Sequence, residues 1–162
     1  MRIVFNTSPL IFLTKLSYLE KALSLFDDIF VPEAVVEEIA ARDDEVNSRI
    51  NQLIVSSDFK IKQTSLKNLK NALSNKLGKG ESEAIALAVE LNVDFAILDD
   101  SSARKQALSL GLNVKGTLGI IKKLVESKGI TIQDKNLLYR RLHDMGFWVD
   151  ENIFNDILKD IK

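Results

Sequence analysis

No cysteine occurs in the 162 residues, which include only two prolines, one histidine and one tryptophan. Lack of cysteine excludes a disulfide scaffold and thiolate zinc sites, and it suits a reducing cytosol, so a cytoplasmic location is expected. A single histidine leaves no imidazole cluster. Neither sign of charge dominates, because 22 basic residues stand against 23 acidic ones for a formal charge of −1. No global positive field exists to attract phosphate, and any nucleic-acid contact must come from a local patch. No run of about 18 uninterrupted apolar residues is found either, so no membrane partner is expected. In residues 1–16, Asn6, Thr7, Ser8 and Pro9 interrupt the apolar side chains and no small-residue cleavage site follows a basic start, which reads as no signal peptide.

What is present is 46% apolar and 28% charged, the make-up of one globular domain and too apolar for disorder. Arg2 to Phe5 is a short β-prone run that stops at Asn6-Thr7-Ser8-Pro9, a cluster able to end a strand and cap a helix. Leu10, Ile11 and Leu13, then Leu16, Leu19, Leu23 and Phe26, recur at helical spacing. A strand at Ile29-Phe30-Val31 follows, and Pro32 starts a helix with Val35, Val36 and Ile39 on its apolar face. Residues 43–79 are polar and helical around a short extended piece at Phe59-Lys60-Ile61. Lys60, Lys62, Lys67, Lys70, Lys76 and Lys79 fall in a stretch without acids. A solvated face is the simpler reading of that run, and a phosphate-contacting rim the sharper one.

After Gly78-Lys79-Gly80, Glu81 to Leu91 reads as an Ala-rich helix closed by Asn92. Phe95 to Leu98 is a continuous apolar run, the mark of a strand buried on both faces of a parallel sheet. A helix over 103–110, a short strand at 112–115, a helix over 117–127 and two more helices in 133–160 complete the chain. Alternating strands and helices predict a parallel sheet covered on both sides. Ligands of such sheets lie beyond the carboxyl ends of the strands.

Those ends carry Asn6, and then Asp99 with Asp100, while Glu37 and Glu38, and Glu81 and Glu83, lie on the helices nearby. If the sheet gathers them, a cation must neutralise the carboxylates or protons must be retained. Oxygen donors without His or Cys favour a hard ion, Mg²⁺ or Mn²⁺. Helical spacing favours Glu38 over Glu37 and Glu81 over Glu83 for facing the strand ends. Taken singly, each acid also has a plainer role: Asp99-Asp100-Ser101 caps the next helix, and Glu81 and Glu83 complement the positive end of theirs.

The segments Phe5-Asn6-Thr7-Ser8-Pro9-Leu10-Ile11, Val31-Pro32-Glu33-Ala34-Val35-Val36-Glu37-Glu38-Ile39, Gly80-Glu81-Ser82-Glu83-Ala84-Ile85-Ala86-Leu87-Ala88, Leu98-Asp99-Asp100-Ser101-Ser102-Ala103-Arg104 and Gly116-Thr117-Leu118-Gly119 together resemble the PIN-domain family. The closer likeness is to its prokaryotic branch related to VapC-type toxins, and the order and spacing span residues 3–120. The resemblance implies an α/β fold, a three-layer α/β/α sandwich with a central parallel sheet plus C-terminal helices. In domain terms, residues 1–130 form the nuclease domain and 131–162 a helical extension packed on it. It implies a Mg²⁺- or Mn²⁺-dependent endoribonuclease in which Asn6 stands where most members place the first Asp. Glu38 matches the second acid, Glu81 the third, and Asp99 or Asp100 the last. Thr7 and Ser8 match the polar positions beside the first acid, and Thr117 a supporting hydroxyl. RNA, an antitoxin protein and a second copy of the chain are the implied partners. Lys79 and Arg104 flank the acids in sequence and are candidates for substrate phosphates.

An amide oxygen at residue 6 binds a hard cation without the full charge of a carboxylate. Two readings follow, a weaker nuclease or a catalytically inactive PIN-like module that binds RNA or protein. A phosphoacceptor receiver fold fits less well, because such folds place their acidic pair after the first strand, where this chain has Asn6. A dinucleotide fold lacks its third glycine around Gly78-Lys79-Gly80. His143 is expected at the surface or in a hydrogen bond, and Phe147 and Trp148 are expected in the core.

Overall fold

Ile3 and Phe5 pack on one side of the first strand and Val4 on the other, the alternation that a strand imposes on successive side chains. The computed structural model describes residues 1–56 and 58–161. Strand β1 (Arg2–Phe5) leads through α1 (Thr7–Lys15) and α2 (Leu19–Leu23) to β2 (Asp28–Pro32). Helices α3 (Glu33–Ala40) and α4 (Glu45–Val55), strand β3 (Lys60–Lys62) and helices α5 (Lys67–Leu73) and α6 (Lys79–Leu91) follow. The chain then runs through β4 (Phe95–Ile97), α7 (Ser101–Ser109), β5 (Val114–Lys115), α8 (Thr117–Glu126), α9 (Lys135–Asp144) and α10 (Glu151–Ile157).

The five strands form one sheet in the order β3-β2-β1-β4-β5, and every pairing is parallel. Ile3 pairs with Ile29 of β2 and Phe5 with Ile97 of β4. These side chains share one apolar layer with α1, α2, α3, α4, α8, α9 and α10. Val4, Phe30, Ala96 and Leu98 face a second layer built on α5, α6 and α7. The result is the expected α/β sandwich of three layers. Leu138 and Leu142 of α9 and Phe154 of α10 belong to the same apolar cluster as Ile3 and Phe5.

Local chemistry explains most boundaries. Asp44, Asp100, Asp134 and Asp150 each cap the helix that follows by accepting backbone N–H bonds. Asn92 closes α6 at φ 47°, a left-handed conformation that Asn tolerates. Pro32 ends β2 and stands as the N-cap of α3, one residue before the helix that it was expected to start. Helix α6 begins at Lys79, two residues earlier than its apolar stripe indicates. Strand β3 is an exposed edge whose Lys60 and Lys62 discourage pairing with another chain. The lysine-rich run is partly neutralised, since Lys60 pairs with Asp28, Lys70 with Glu83 and Lys79 with Glu37.

The chain winds outward from β1 to β2 and β3, then crosses to β4 and β5 on the other side. This reversal opens a crevice between the carboxyl ends of β1 and β4. Among the described residues no helix is long and apolar enough to cross a membrane.

Candidate active site

Asn6 leaves β1 in extended backbone and donates its N–H to the carbonyl of Ile97 at 3.1 Å, which ties the exits of the two central strands together. It is the N-cap residue of α1, yet its side chain makes no capping bond. The residue is 3% exposed, and its Oδ1 is buried with no hydrogen-bond partner. An orphaned amide oxygen of this kind costs about 1–3 kcal/mol unless something electropositive meets it.

Thr7 donates its hydroxyl to Glu38 Oε2, and Glu38 Oε1 accepts the Gly80 N–H at 2.9 Å. The carboxylate therefore rests on the positive end of α6. A Cβ at residue 80 would sit 2.6 Å from both Glu38 oxygens, so only glycine permits this approach. Glu37 turns the other way and pairs with Lys79 at 2.7 Å, both side chains being more than half exposed. Their hydrogen bond holds the Glu37 carboxyl below its ordinary value and Lys79 above its own.

Glu81 is half-buried and accepts the Gly78 N–H at 3.1 Å. Burial pushes its carboxyl above the ordinary value against that bond, and the negative charges of Asp100 and Glu38 push it further. Glu38, Glu81 and Asp100 thus share one electrostatic neighbourhood. Asp100 also caps α7, its Oδ1 accepting the Ala103 N–H at 2.9 Å.

Asp99 looks elsewhere. Its Oδ1 accepts the Thr117 N–H and its Oδ2 the Thr117 hydroxyl, each at 2.7 Å. Burial raises its carboxyl above the ordinary value, opposed by the two Thr117 bonds and then by the charge of Arg104. Arg104 donates to the Leu98 carbonyl at 3.0 Å. A Cβ at Gly116 would lie 2.8 Å from Asp99 Oδ1 and 3.0 Å from Arg104 Nη1, so this corner too is built around a glycine. Thr117 is fully buried, while Ser8 is half-buried in the first turn of α1.

The expected residues thus meet in two neighbouring groups, Glu38 with Glu81 and Asp100, and Asp99 with Thr117 and Arg104. Among the described residues no three His, Cys, Asp or Glu side chains form a cluster able to hold a metal ion by themselves. The donors nevertheless suit a hard cation. Asn6 Oδ1 lacks a partner, Glu81 is crowded by like charge, and every donor is oxygen. Mg²⁺ characteristically keeps several waters and takes one or two carboxylates, so a closed carboxylate cage is not required.

Sequence reasoning ranked Glu83 behind Glu81 and gave Gly80 and Gly116 no role of their own. Glu83 reads like any acid in a first helical turn, but it is 1% exposed and its Oε2 accepts the Ala34 N–H at 2.8 Å, joining α6 to the start of α3. Its only sequence signal is its place two residues after Glu81, on the helix face that Ala86 and Leu87 also help to bury. Gly80 and Gly116 carry a clearer signal, a glycine directly before a candidate site residue. Two other expectations divide. Phe147 is buried and meets Phe12 edge-on, whereas Trp148, expected in the core, is 77% exposed. His143 lies within 3.2 Å of the Val149 carbonyl.

A family model described as PIN domain matches residues 2–162. A solved structure of a PilT N-terminus domain protein from the hyperthermophilic archaeon Sulfolobus solfataricus is similar, with a TM-score of 0.50 and 18% identity. The similarity covers 78% of this chain and 95% of that one, and at such identity it speaks for the fold alone. No curated protein matches the chain.

Proposed function

The chain belongs to the PIN-domain family, whose members are usually nucleases, and from that premise we propose a metal-dependent endoribonuclease that hydrolyses RNA phosphodiester bonds. The observation that carries the reading is the buried, partnerless Asn6 Oδ1 at the junction of β1 and β4, on the same sheet edge as acids that repel one another. Asn6, Glu38, Glu81 and Asp100 are the residues to hold Mg²⁺ or Mn²⁺, with Asp99 at the margin. Such a cation supplies Lewis-acid polarisation of a phosphodiester and makes water a better nucleophile at neutral pH.

The chain's own side chains do the rest. Thr7 and the Gly80 N–H fix the Glu38 carboxylate, and Thr117 fixes that of Asp99. Burial and then the charges of Asp100 and Glu38 raise the Glu81 carboxyl above its ordinary value, and a bound cation would offset that cost of its negative charge. Arg104 and, once freed from Glu37, Lys79 offer positive charge to substrate phosphates, with Thr7 and Ser8 as flanking hydroxyls. Residues 1–130 are read as the nuclease domain and 131–162 as its extension.

A second reading, a weak or inactive module that binds RNA or protein, is favoured by two observations: residue 6 presents a neutral amide, and no three His, Cys, Asp or Glu side chains cluster to hold a metal among the described residues. A toxin held by an antitoxin, and pairing with a second copy, are finer readings of the first. An adjacent small open reading frame is the cheapest clue to the toxin role. The deciding experiment is cleavage of labelled single-stranded RNA with Mg²⁺ or Mn²⁺ by the wild-type chain and by Asp99→Asn and Glu81→Gln. Metal-dependent cleavage by the wild type that is lost in Glu81→Gln and reduced in Asp99→Asn supports the nuclease; binding without cleavage supports the module.

A further inference from the structure

A tryptophan left largely in water needs a reason, since burying a large aromatic ring is among the strongest gains open to a chain. Trp148 stays out because its neighbours are held in place. The Val149 carbonyl accepts the Tyr139 hydroxyl at 3.1 Å and lies 3.2 Å from His143 Nε2, so both side chains of α9 grip the backbone next to it. Ring contacts run outward from the core in a series, from buried Phe154 to Tyr139, from Tyr139 to His143 and from His143 to Trp148, with centroids 5.1, 4.4 and 5.1 Å apart. The indole rests at the surface against His143, the outermost of these rings.

The ring borders a groove of about 540 Å³. Its lining includes Asp99 and Arg104 from the candidate active site, Lys115, Trp148 and half-exposed Ile153, together with a second acid, Asp150, whose Oδ1 is engaged in capping α10. Lys115 Nζ lies 4.5 Å from the Phe95 ring centre. An exposed indole beside two cations, with the acids Asp99 and Asp150 held in hydrogen bonds to Thr117 and to the start of α10, fits a nucleotide, which brings one flat apolar base and one negative phosphate.

We propose that this groove is a nucleotide subsite in which Trp148 stacks against a base of single-stranded nucleic acid while Arg104 and Lys115 hold the adjoining phosphates. The subsite rests on the nuclease reading for its substrate class. It makes the helices after residue 131 part of substrate recognition, and Trp148 a positioning residue that sets where the chain lies against the acids. Stacking tolerates every base, so it selects unpaired strands without selecting a sequence.

Trp148 is the only tryptophan, so intrinsic fluorescence reports on the subsite directly. The full chain is titrated in EDTA with a short oligoadenylate and with an abasic oligonucleotide of equal length. The adenylate should quench the emission and the abasic strand should not. Labelled-RNA anisotropy should show Trp148→Ala weakened about tenfold or more and Trp148→Phe restored most of the way. Arg104→Gln and Lys115→Gln should weaken binding and flatten its salt dependence. Equal quenching by both strands, or unchanged affinity in Trp148→Ala, overturns the subsite. So does an emission shift that follows protein concentration without any oligonucleotide, since a second copy would then cover the ring. Metal-dependent cleavage that persists in Trp148→Ala at unchanged KM removes the subsite and leaves the nuclease standing; quenching without any cleavage does the reverse.

Discussion

Gly80→Ala is a substitution whose sign depends on one carboxylate. In most helices alanine is favoured over glycine by about 0.5–1 kcal/mol, because glycine loses more chain entropy on folding. Here the new methyl would stand 2.6 Å from both Glu38 oxygens and 2.8 Å from Cδ. Glu38 must retreat, which breaks its bond from the Gly80 N–H and disturbs that from Thr7. A hydrogen bond to a charged group contributes about 1.5–3 kcal/mol. Because Glu38 is exposed, water compensates part of that loss, and the balance against the gain from alanine is a net loss of up to about 1 kcal/mol, or a Tm lower by up to about 4 °C for a chain of this size. In a Glu38→Ala background the clash is gone, and the same Gly80→Ala change should stabilise the protein by about 0.5 kcal/mol. Thermal and urea unfolding of the four proteins completes the cycle. Stabilisation by Gly80→Ala in the wild-type background would refute the close packing of Glu38 on α6.

Thr117→Val keeps the shape of a buried side chain but removes the donor to Asp99 Oδ2. Urea unfolding should show a loss of about 1–3 kcal/mol, and the acidic limb of cleavage should move to higher pH because a bond that lowers the Asp99 carboxyl is gone. Glu83→Gln weakens the acceptor for the Ala34 N–H and the pairing with Lys70, 3.6 Å away; stability should fall by about 1–3 kcal/mol with Mn²⁺ affinity of the folded protein unchanged. For Glu81 the folded carboxyl is raised above its ordinary value of 4.5. Its stabilising contribution in metal-free protein is therefore full below that value and is lost as pH rises through the raised folded one. Comparing Tm across pH in EDTA, Glu81→Gln should flatten that fall and be the more stable protein at neutral pH; a variant less stable there would contradict the burial of the Glu81 carboxyl beside Asp100 and Glu38.

The sheet was legible in the sequence because a strand covered on both faces must be apolar throughout, as Phe95 to Leu98 is, and because turns around Asn6, Asn92 and Gly111 mark where elements stop. Helix starts were less legible: the stripe of α6 begins after its first turn, and Pro32 serves a strand and a cap at once. Within the site, helical spacing favoured Glu38 over Glu37, and the two differ in their partners, Thr7 and the Gly80 N–H for Glu38 and Lys79 for Glu37. Asp99 and Asp100 are adjacent in sequence, yet the backbone leaving β4 sends one to Thr117 and the other to α7 and Glu81. No periodicity encodes that division. Glu83 and Trp148 escaped for opposite reasons. A buried acid and an exposed indole both reverse the usual partition, and only tertiary bonds, to Ala34 in one case and around Val149 in the other, stabilise the exception.

The central claim, that Asn6 Oδ1 and the acids beside it share a divalent cation, is tested most directly by calorimetric titration of Mn²⁺ into the wild-type chain, Asn6→Asp and Glu81→Gln. One ion per chain is predicted, bound at least about tenfold more tightly by Asn6→Asp, where a full charge replaces the amide, and far more weakly by Glu81→Gln. Affinities unchanged by either substitution would contradict the account.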